Sequence, residues 1–260
     1  MSWPLFENLS EIGRRLKAAQ HVLLFLDFDG TLAPIVERPE MARLSPETKN
    51  LLFRLSRRDD MTVALISGRS LSDIQERVGI ENMIYAGNHG LEISGPKIHF
   101  VHSQAAAQQE PLRQLSELLS NKLRHIAGAK VELKGLTTSI HYRRVAPAEV
   151  NAVTQIVHTS VLRACHLFRL TAGKKVHEIR PRVDWHKGAA VRWIRERLGN
   201  PNSLSIYLGD DTTDENAFVE LQHGITVKIG ISATTQARLH LADHLEVQKF
   251  LYWLEETVKR

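Results

Sequence analysis

Three short apolar runs in this chain end in the same way, and that shared ending limits the folds open to it. His21 to Leu26 runs into Asp27-Phe28-Asp29-Gly30-Thr31, Met61 to Ile66 into Ser67-Gly68-Arg69, and Leu204 to Leu208 into Gly209-Asp210-Asp211. An apolar run of about five residues without polar alternation suits a strand covered on both faces, the strand of a parallel sheet. Between the runs, Pro46 to Arg57, with Leu51, Leu52 and Leu55, and Ser70 to Val78 read as amphipathic helices. Alternating strands and helices of this kind predict an open, doubly wound α/β sheet, whose ligands bind beyond the carboxyl ends of its strands.

The middle of the chain follows another pattern. A helix (111–126), two β-like runs (129–134 and 138–143), a helix from Pro147 and two further β-like runs (167–171 and 176–179) give an αββαββ order. That order predicts a small antiparallel sheet with helices on one face. At 260 residues the chain sits at the upper edge of what a single core supports. The expected organisation is a discontinuous core of residues 1–104 and 182–260, interrupted by an α+β domain at 105–181.

Composition narrows the function classes. With 43% apolar and 24% charged residues and no low-complexity tract, the chain reads as globular. The net charge of +5 comes from basic residues interleaved with acids, without a basic stripe, so a nucleic-acid partner is not expected. No apolar stretch reaches the length of a membrane span, and the N-terminus has no basic start followed by an apolar run, so a cytoplasmic protein without a membrane partner is the expectation. The single cysteine, Cys165, reads as a buried apolar residue, and a monomer is expected.

The strand ends carry the chemistry. Two carboxylates two residues apart on an extended segment, Asp27 and Asp29, point to one side and can share a substrate. Their mutual repulsion calls for a divalent cation. Gly30 permits a sharp turn, and the Thr31 hydroxyl is a donor for phosphate oxygens. An acidic turn is the bland alternative; the further ligands of a calcium loop are absent, since Leu32, Ala33, Pro34 and Ile35 follow. Ser67, Gly68 and Arg69 can likewise donate to a phosphate, or simply turn the chain into a helix capped by Ser70. Lys187, in Asp184-Trp185-His186-Lys187-Gly188, opens a helix where a lysine opposes the macrodipole. Asp210, Asp211 and Asp214 crowd one strand end; with Thr213 and Asp214 assigned to capping, the metal role falls chiefly to Asp210. His240 and His244 have the i, i+4 spacing of a helical zinc pair, but no third ligand accompanies them, and a solvated face of a shared helix is the expectation.

In this order the pieces resemble the haloacid dehalogenase superfamily and, within it, the trehalose-6-phosphate phosphatases. The narrower resemblance rests on Asp27 to Ile35, Ile66 to Leu71, Ala86 to Glu92, Gly173 to Pro181 and Lys187-Gly188, with His186 standing where asparagine or another small polar residue is expected. It implies a Mg²⁺-dependent phosphatase that converts trehalose 6-phosphate, its small-molecule substrate, to trehalose and phosphate, the last step of trehalose biosynthesis. Asp27 would be the nucleophile that forms an aspartyl-phosphate, and Asp29 the general acid and base. Asp29 is expected to hold its proton because other acids crowd it and the cap would shield it. Mg²⁺ would be held by Asp27, the Asp29 carbonyl and Asp210, while Ser67 and Lys187 would ligate the phosphoryl group. Gly30, Thr31, Gly68, Arg69, Asn88, His89, Glu92, Lys174, Glu178, Asp211 and Asp214 make up the implied substrate-binding set. The insert would act as a cap, opening and closing on links near residues 104 and 182. Two other functions fit the same residues: a phosphatase of another sugar phosphate, of the sucrose- or mannosylglycerate-phosphate type, and a non-catalytic sugar-phosphate sensor.

Overall fold

The computed structural model describes residues 2–36, 39–173 and 175–258. In chain order the first stretch contains β1 (Trp3–Pro4), α1 (Leu9–Ala18), β2 (His21–Leu26), α2 (Pro46–Ser56), β3 (Met61–Ile66), α3 (Leu71–Val78), β4 (Ile84–Gly87), β5 (Glu92–Gly95) and β6 (Ile98–Val101). The middle adds α4 (Ser103–Ala106), α5 (Gln109–Leu123), β7 (Lys130–Leu133), β8 (Thr138–His141), α6 (Val150–Leu162), β9 (Phe168–Gly173) and β10 (Val176–Pro181). The last stretch holds α7 (Lys187–Leu198), β11 (Ser203–Gly209), α8 (Glu215–Glu220), β12 (Ile225–Ile229), β13 (Leu239–Leu241) and α9 (His244–Val258). The chain divides into two compact units, 1–100 with 185–260, and 101–184.

The first unit is built on a sheet ordered β1-β13-β12-β11-β2-β3-β4-β5-β6. Its strands run parallel from β1 across to β4, and β5 returns antiparallel on β4. The strand period of two sends alternate residues of each central strand to opposite faces. Leu24 and Leu26 of β2 join a core with Leu51, Leu52 and Leu55 of α2, Ile74 of α3 and Phe250 and Leu254 of α9. Leu23 and Phe25 face the other way, onto Ala190, Val191 and Ile194 of α7 and Phe218 of α8. This two-sided burial is what the unbroken apolar runs require, and the sheet is doubly wound. Chain order reverses beside β2, with β11 on one flank and β3 on the other, and the carboxyl ends of these strands are where an open sheet of this kind takes its ligand.

The second unit has its own four-stranded sheet, ordered β7-β8-β10-β9, with antiparallel pairing throughout. Ile140, Phe168 and Ile179 on one face pack against Leu112, Leu115 and Leu119 of α5 and Val153 and Val157 of α6. The opposite face is polar. There Glu178, itself buried, accepts from Arg180 Nε at 2.6 Å and lies 3.5 Å from Lys134 Nζ. Lys174 falls outside the described residues.

His177 occupies the helix-facing side of β10. Its Nε2 shares a 3.1 Å hydrogen bond with Thr154 Oγ1, its Nδ1 is buried without a hydrogen-bond partner among the described residues, and the rings of Tyr142 and His158 pack against it. Burial, with a lesser push from His158, holds its pKa below the ordinary histidine value. In the unfolded chain the ring takes up a proton near pH 6.5, before the folded one does. The stability of this unit should therefore fall as pH drops below about 6.5 toward the folded value. Urea melts over that range should show the loss, and His177→Gln should flatten it; an unchanged slope in the variant would refute the assignment.

Two expectations fail outside the site. Cys165 is exposed, because α6 stops at Leu162 and the residues after it form a turn with no face to bury. His240 and His244 do not share a helix: His240 lies on β13, its Nδ1 3.0 Å from Ser2 Oγ, and His244 opens α9. Among the described residues no helix is long and apolar enough to cross a membrane.

Candidate active site

Asp27 follows the last residue of β2, and its amide donates to the Leu208 carbonyl of β11 at 2.9 Å, which draws the two strand ends together. The carboxylates of Asp27, Asp210 and Asp214 each place an oxygen within 4.8 Å of the others. Burial, with Asp214 and Asp210 adding to it, raises the Asp27 pKa well above the carboxylate range, against the pull of Lys187. Three hard oxygen donors that repel one another, Asp27 and Asp214 buried and Asp210 half-buried, are a donor set for a divalent cation such as Mg²⁺. Asp210 reaches this position across Gly30, where φ is +85° and an added Cβ would lie 2.3 Å from Asp210 Oδ2. Glycine is therefore required at position 30 both for its backbone and for the space it leaves.

Lys187 starts α7 and is almost wholly buried. Its Nζ donates to Asp27 Oδ1 and to Asp214 Oδ1, each at 2.7 Å. Burial alone would lower its pKa, but Asp214 and Asp27 reverse this and hold it above its usual value. The side chain thus points into a pocket of acids, which explains a lysine in a first helical turn. His186, the departure from the family pattern, is the helix N-cap: its Nδ1 accepts from the Ala189 amide at 3.2 Å. Imidazole here supplies the acceptor that an asparagine oxygen would.

Asp214 ranks higher than the sequence indicated. It is fully buried and accepts from Lys187, from the Tyr207 hydroxyl at 2.6 Å and from the Asp211 amide at 2.9 Å. The cap of this turn is Asp211, not Thr213, and it reciprocates with Asp214 in a capping box. Capping uses one oxygen of Asp214 and leaves the other for the site. Tyr207, also fully buried, has a hydroxyl pKa pushed up by burial and then by Asp214 and Asp27, so it stays a donor. Lys228, at the end of β12, donates to the Asp210 carbonyl at 2.5 Å and fixes the loop from the other side.

Asp29 stands apart from the acid cluster. Both its oxygens accept from Arg69, Nε to Oδ2 and an Nη to Oδ1, each at 2.7 Å. Arg69 lies over the Phe28 ring and also donates to Asp73, which accepts from Arg77, whose guanidinium reaches the Glu40 and Ala42 carbonyls. The crowding of acids expected around Asp29 therefore falls on Asp27, and Asp29 faces a cation. Thr31, fully buried, donates weakly to Asp27 Oδ2 at 3.5 Å.

Ser67 is buried at the end of β3, and its Oγ accepts from the Arg69 amide at 3.1 Å. Behind it Asn88, His89 and Gly90 adopt φ of 50°, 59° and 90°, three left-handed residues in a row. A left-handed non-glycine residue costs roughly 1–2 kcal/mol, so this turn is held by its bonds. The Asn88 amide donates to the Arg69 carbonyl at 2.7 Å and the His89 amide to the Ser67 carbonyl at 2.8 Å. The His89 ring lies over Gly68, where a Cβ would come within 2.7 Å of it. Asn88 Nδ2 donates to Glu92 Oε2 at 2.6 Å.

Comparison with known proteins follows from this arrangement. The family model described as trehalose-phosphatase matches residues 25–249. The chain belongs to the trehalose-phosphatase family. A probable trehalose-phosphate phosphatase D of Arabidopsis thaliana is 37% identical over 97% of this chain and 71% of its own length. A trehalose-phosphate phosphatase of Mycobacterium tuberculosis is 39% identical over 81% of this chain, and the match spans 54% of that relative, about half its length. The solved C-terminal domain of Candida albicans trehalose-6-phosphate phosphatase has the same fold, with a TM-score of 0.80, 23% identity and 98% of both chains covered.

As a member of this family the chain is a phosphoric monoester hydrolase, and the strand-end residues are where its chemistry is to be sought. The structure gathers Asp27, Thr31, Lys187, Asp210 and Asp214 at the ends of β2 and β11, and Ser67, Gly68, Arg69, Asn88, His89 and Glu92 around the adjoining end of β3. Glu178 belongs to the second unit's sheet. Sequence reasoning passed over Tyr207, Lys228 and Asp73. The available signal was a polar residue inside an apolar string, Tyr207 in LSIYLG and Lys228 in ITVKIG.

Proposed function

We propose that this chain hydrolyses trehalose 6-phosphate to trehalose and phosphate through a covalent aspartyl-phosphate on Asp27. The observation that carries this is the buried meeting of Asp27 with Lys187, Asp210 and Asp214 at the carboxyl ends of neighbouring parallel strands, in a chain of this family. An oxygen of Asp27 attacks phosphorus while the bond to the sugar oxygen breaks, and Asp29 supplies the proton that oxygen needs. Water then attacks the acyl phosphate, Asp29 takes its proton, and phosphate leaves Asp27. The Arg69 fork uses one lone pair of each Asp29 oxygen and leaves the others for these transfers. Lys187 and the donors of the Ser67 turn oppose the charge on the phosphoryl oxygens.

Asp27, Asp210 and the Asp29 carbonyl are the proposed ligands of Mg²⁺, with Asp214 beside them. The ion supplies charge neutralisation that lets a carboxylate approach a phosphate. Asn88, His89 and Glu92 are the first unit's groups for sugar hydroxyls, and Glu178 and Lys174 are those of the insert.

Phosphate release from trehalose 6-phosphate should occur with Mg²⁺, stop with EDTA and return when Mg²⁺ is restored. Equal rates on sucrose phosphate or other sugar phosphates would overturn the substrate assignment. Binding without release from any of them would favour a sensor.

A further inference from the structure

We infer that Trp185 is a positioning residue for the phosphate-gripping turn, acting through its indole N–H on the Gly90 carbonyl. The inference rests on the proposed role of Ser67 and Lys187 in holding phosphate. Trp185 Nε1 donates to Gly90 O at 2.8 Å, at the end of the left-handed run 88–90. That run, in turn, gives its Asn88 and His89 amides to the carbonyls on either side of Gly68, so whatever holds Gly90 also sets Ser67. Gly90 is pressed against α7 as well: a Cβ there would lie 2.3 Å from Ala190 Cβ. Trp185 stands two residues before Lys187, so one indole ties together the backbone segments that present the two phosphate donors.

The ring itself is immobilised. It stacks on Phe100 with centroids 4.8 Å apart and planes 22° apart, and Phe100 packs on Trp193 of α7 at 4.9 Å. Phe100 is the last residue before the chain leaves the first unit and Trp185 the first on its return. The stack pins both crossing points within the first unit, next to the turn that grips phosphate.

Trp185→Phe keeps the ring for stacking and removes the donor. It should weaken binding of inorganic phosphate, measured by calorimetry in the presence of Mg²⁺, by about fivefold to tenfold, the loss of one partly buried hydrogen bond. The same factor should appear in kcat/KM, with Mg²⁺ affinity unchanged. Unaltered phosphate affinity and kcat/KM would reduce Trp185 to packing and overturn the inference. Should that variant fail to fold, Phe100→Leu keeps the donor but loosens its ring and should weaken phosphate binding about threefold; no change there overturns the inference equally. A parent chain that neither binds nor releases phosphate would remove the proposed function, and this inference with it, before any variant is compared.

Discussion

Asp27→Asn should lower phosphate release from trehalose 6-phosphate by at least about 10³-fold while leaving the protein folded. An amide of the same shape cannot form the acyl phosphate, so binding and charge stabilisation alone remain. The fold has no reason to suffer, because Asp27 is an expensive group to keep. Burial and two neighbouring carboxylates raise its pKa, and Lys187 keeps a full partner in Asp214 when the Asp27 charge is gone. Thermal melting of the variant should therefore match or exceed that of the parent. Rates near the parent's, measured with Mg²⁺ at saturating substrate, would remove Asp27 as the nucleophile. A parallel loss of rate and melting temperature would show that the residue acts on structure.

Much of this site was legible because its residues sit where one-dimensional patterns end. Asp27, Ser67 and Asp210 each follow a buried strand, and Lys187 opens a helix, so strand and helix boundaries alone place them at one edge of a doubly wound sheet. What escaped was set by tertiary pairing. The Arg69–Asp29 fork joins residues forty positions apart, and nothing in either segment marks the other as its partner. Asp214 was undervalued because a capping box explains an acid at that position. The box accounts for one oxygen, while the second, aimed at Lys187 and Tyr207, appears only when β2, β11 and α7 are assembled. The turn at 88–90 looked like an ordinary glycine-bounded turn, since the left-handed geometry of Asn88 and His89 is imposed by partners on β3 and by Trp185. In the fold, β12 went unread because Thr226 and Lys228 break its apolar run, and β13 because three residues are too few for a period to register.

Lys187→Met should have the other large effect, on stability and rate together. The lysine is wholly buried between Asp27 and Asp214, and methionine fills a similar volume without its charge. Removing one partner of a buried pair leaves uncompensated charge, a loss of about 3–5 kcal/mol, where replacing a surface partner costs well under 1. The sign of the pH dependence follows from the direction of the Asp27 shift. A buried acid whose folded pKa is raised above its unfolded value penalises the folded state most at high pH, where it must be ionised. The penalty fades as pH falls toward the unfolded carboxylate value near 4. Urea melts should accordingly show a wide gap between parent and variant at pH 8 and a narrower one at pH 5. Saturating Mg²⁺ should raise the variant's stability more than the parent's, since a cation that binds only the folded cage answers the charge the lysine left behind. A variant as stable as the parent at pH 8 without Mg²⁺ would mean the three carboxylates do not share the ionised pocket on which the mechanism depends.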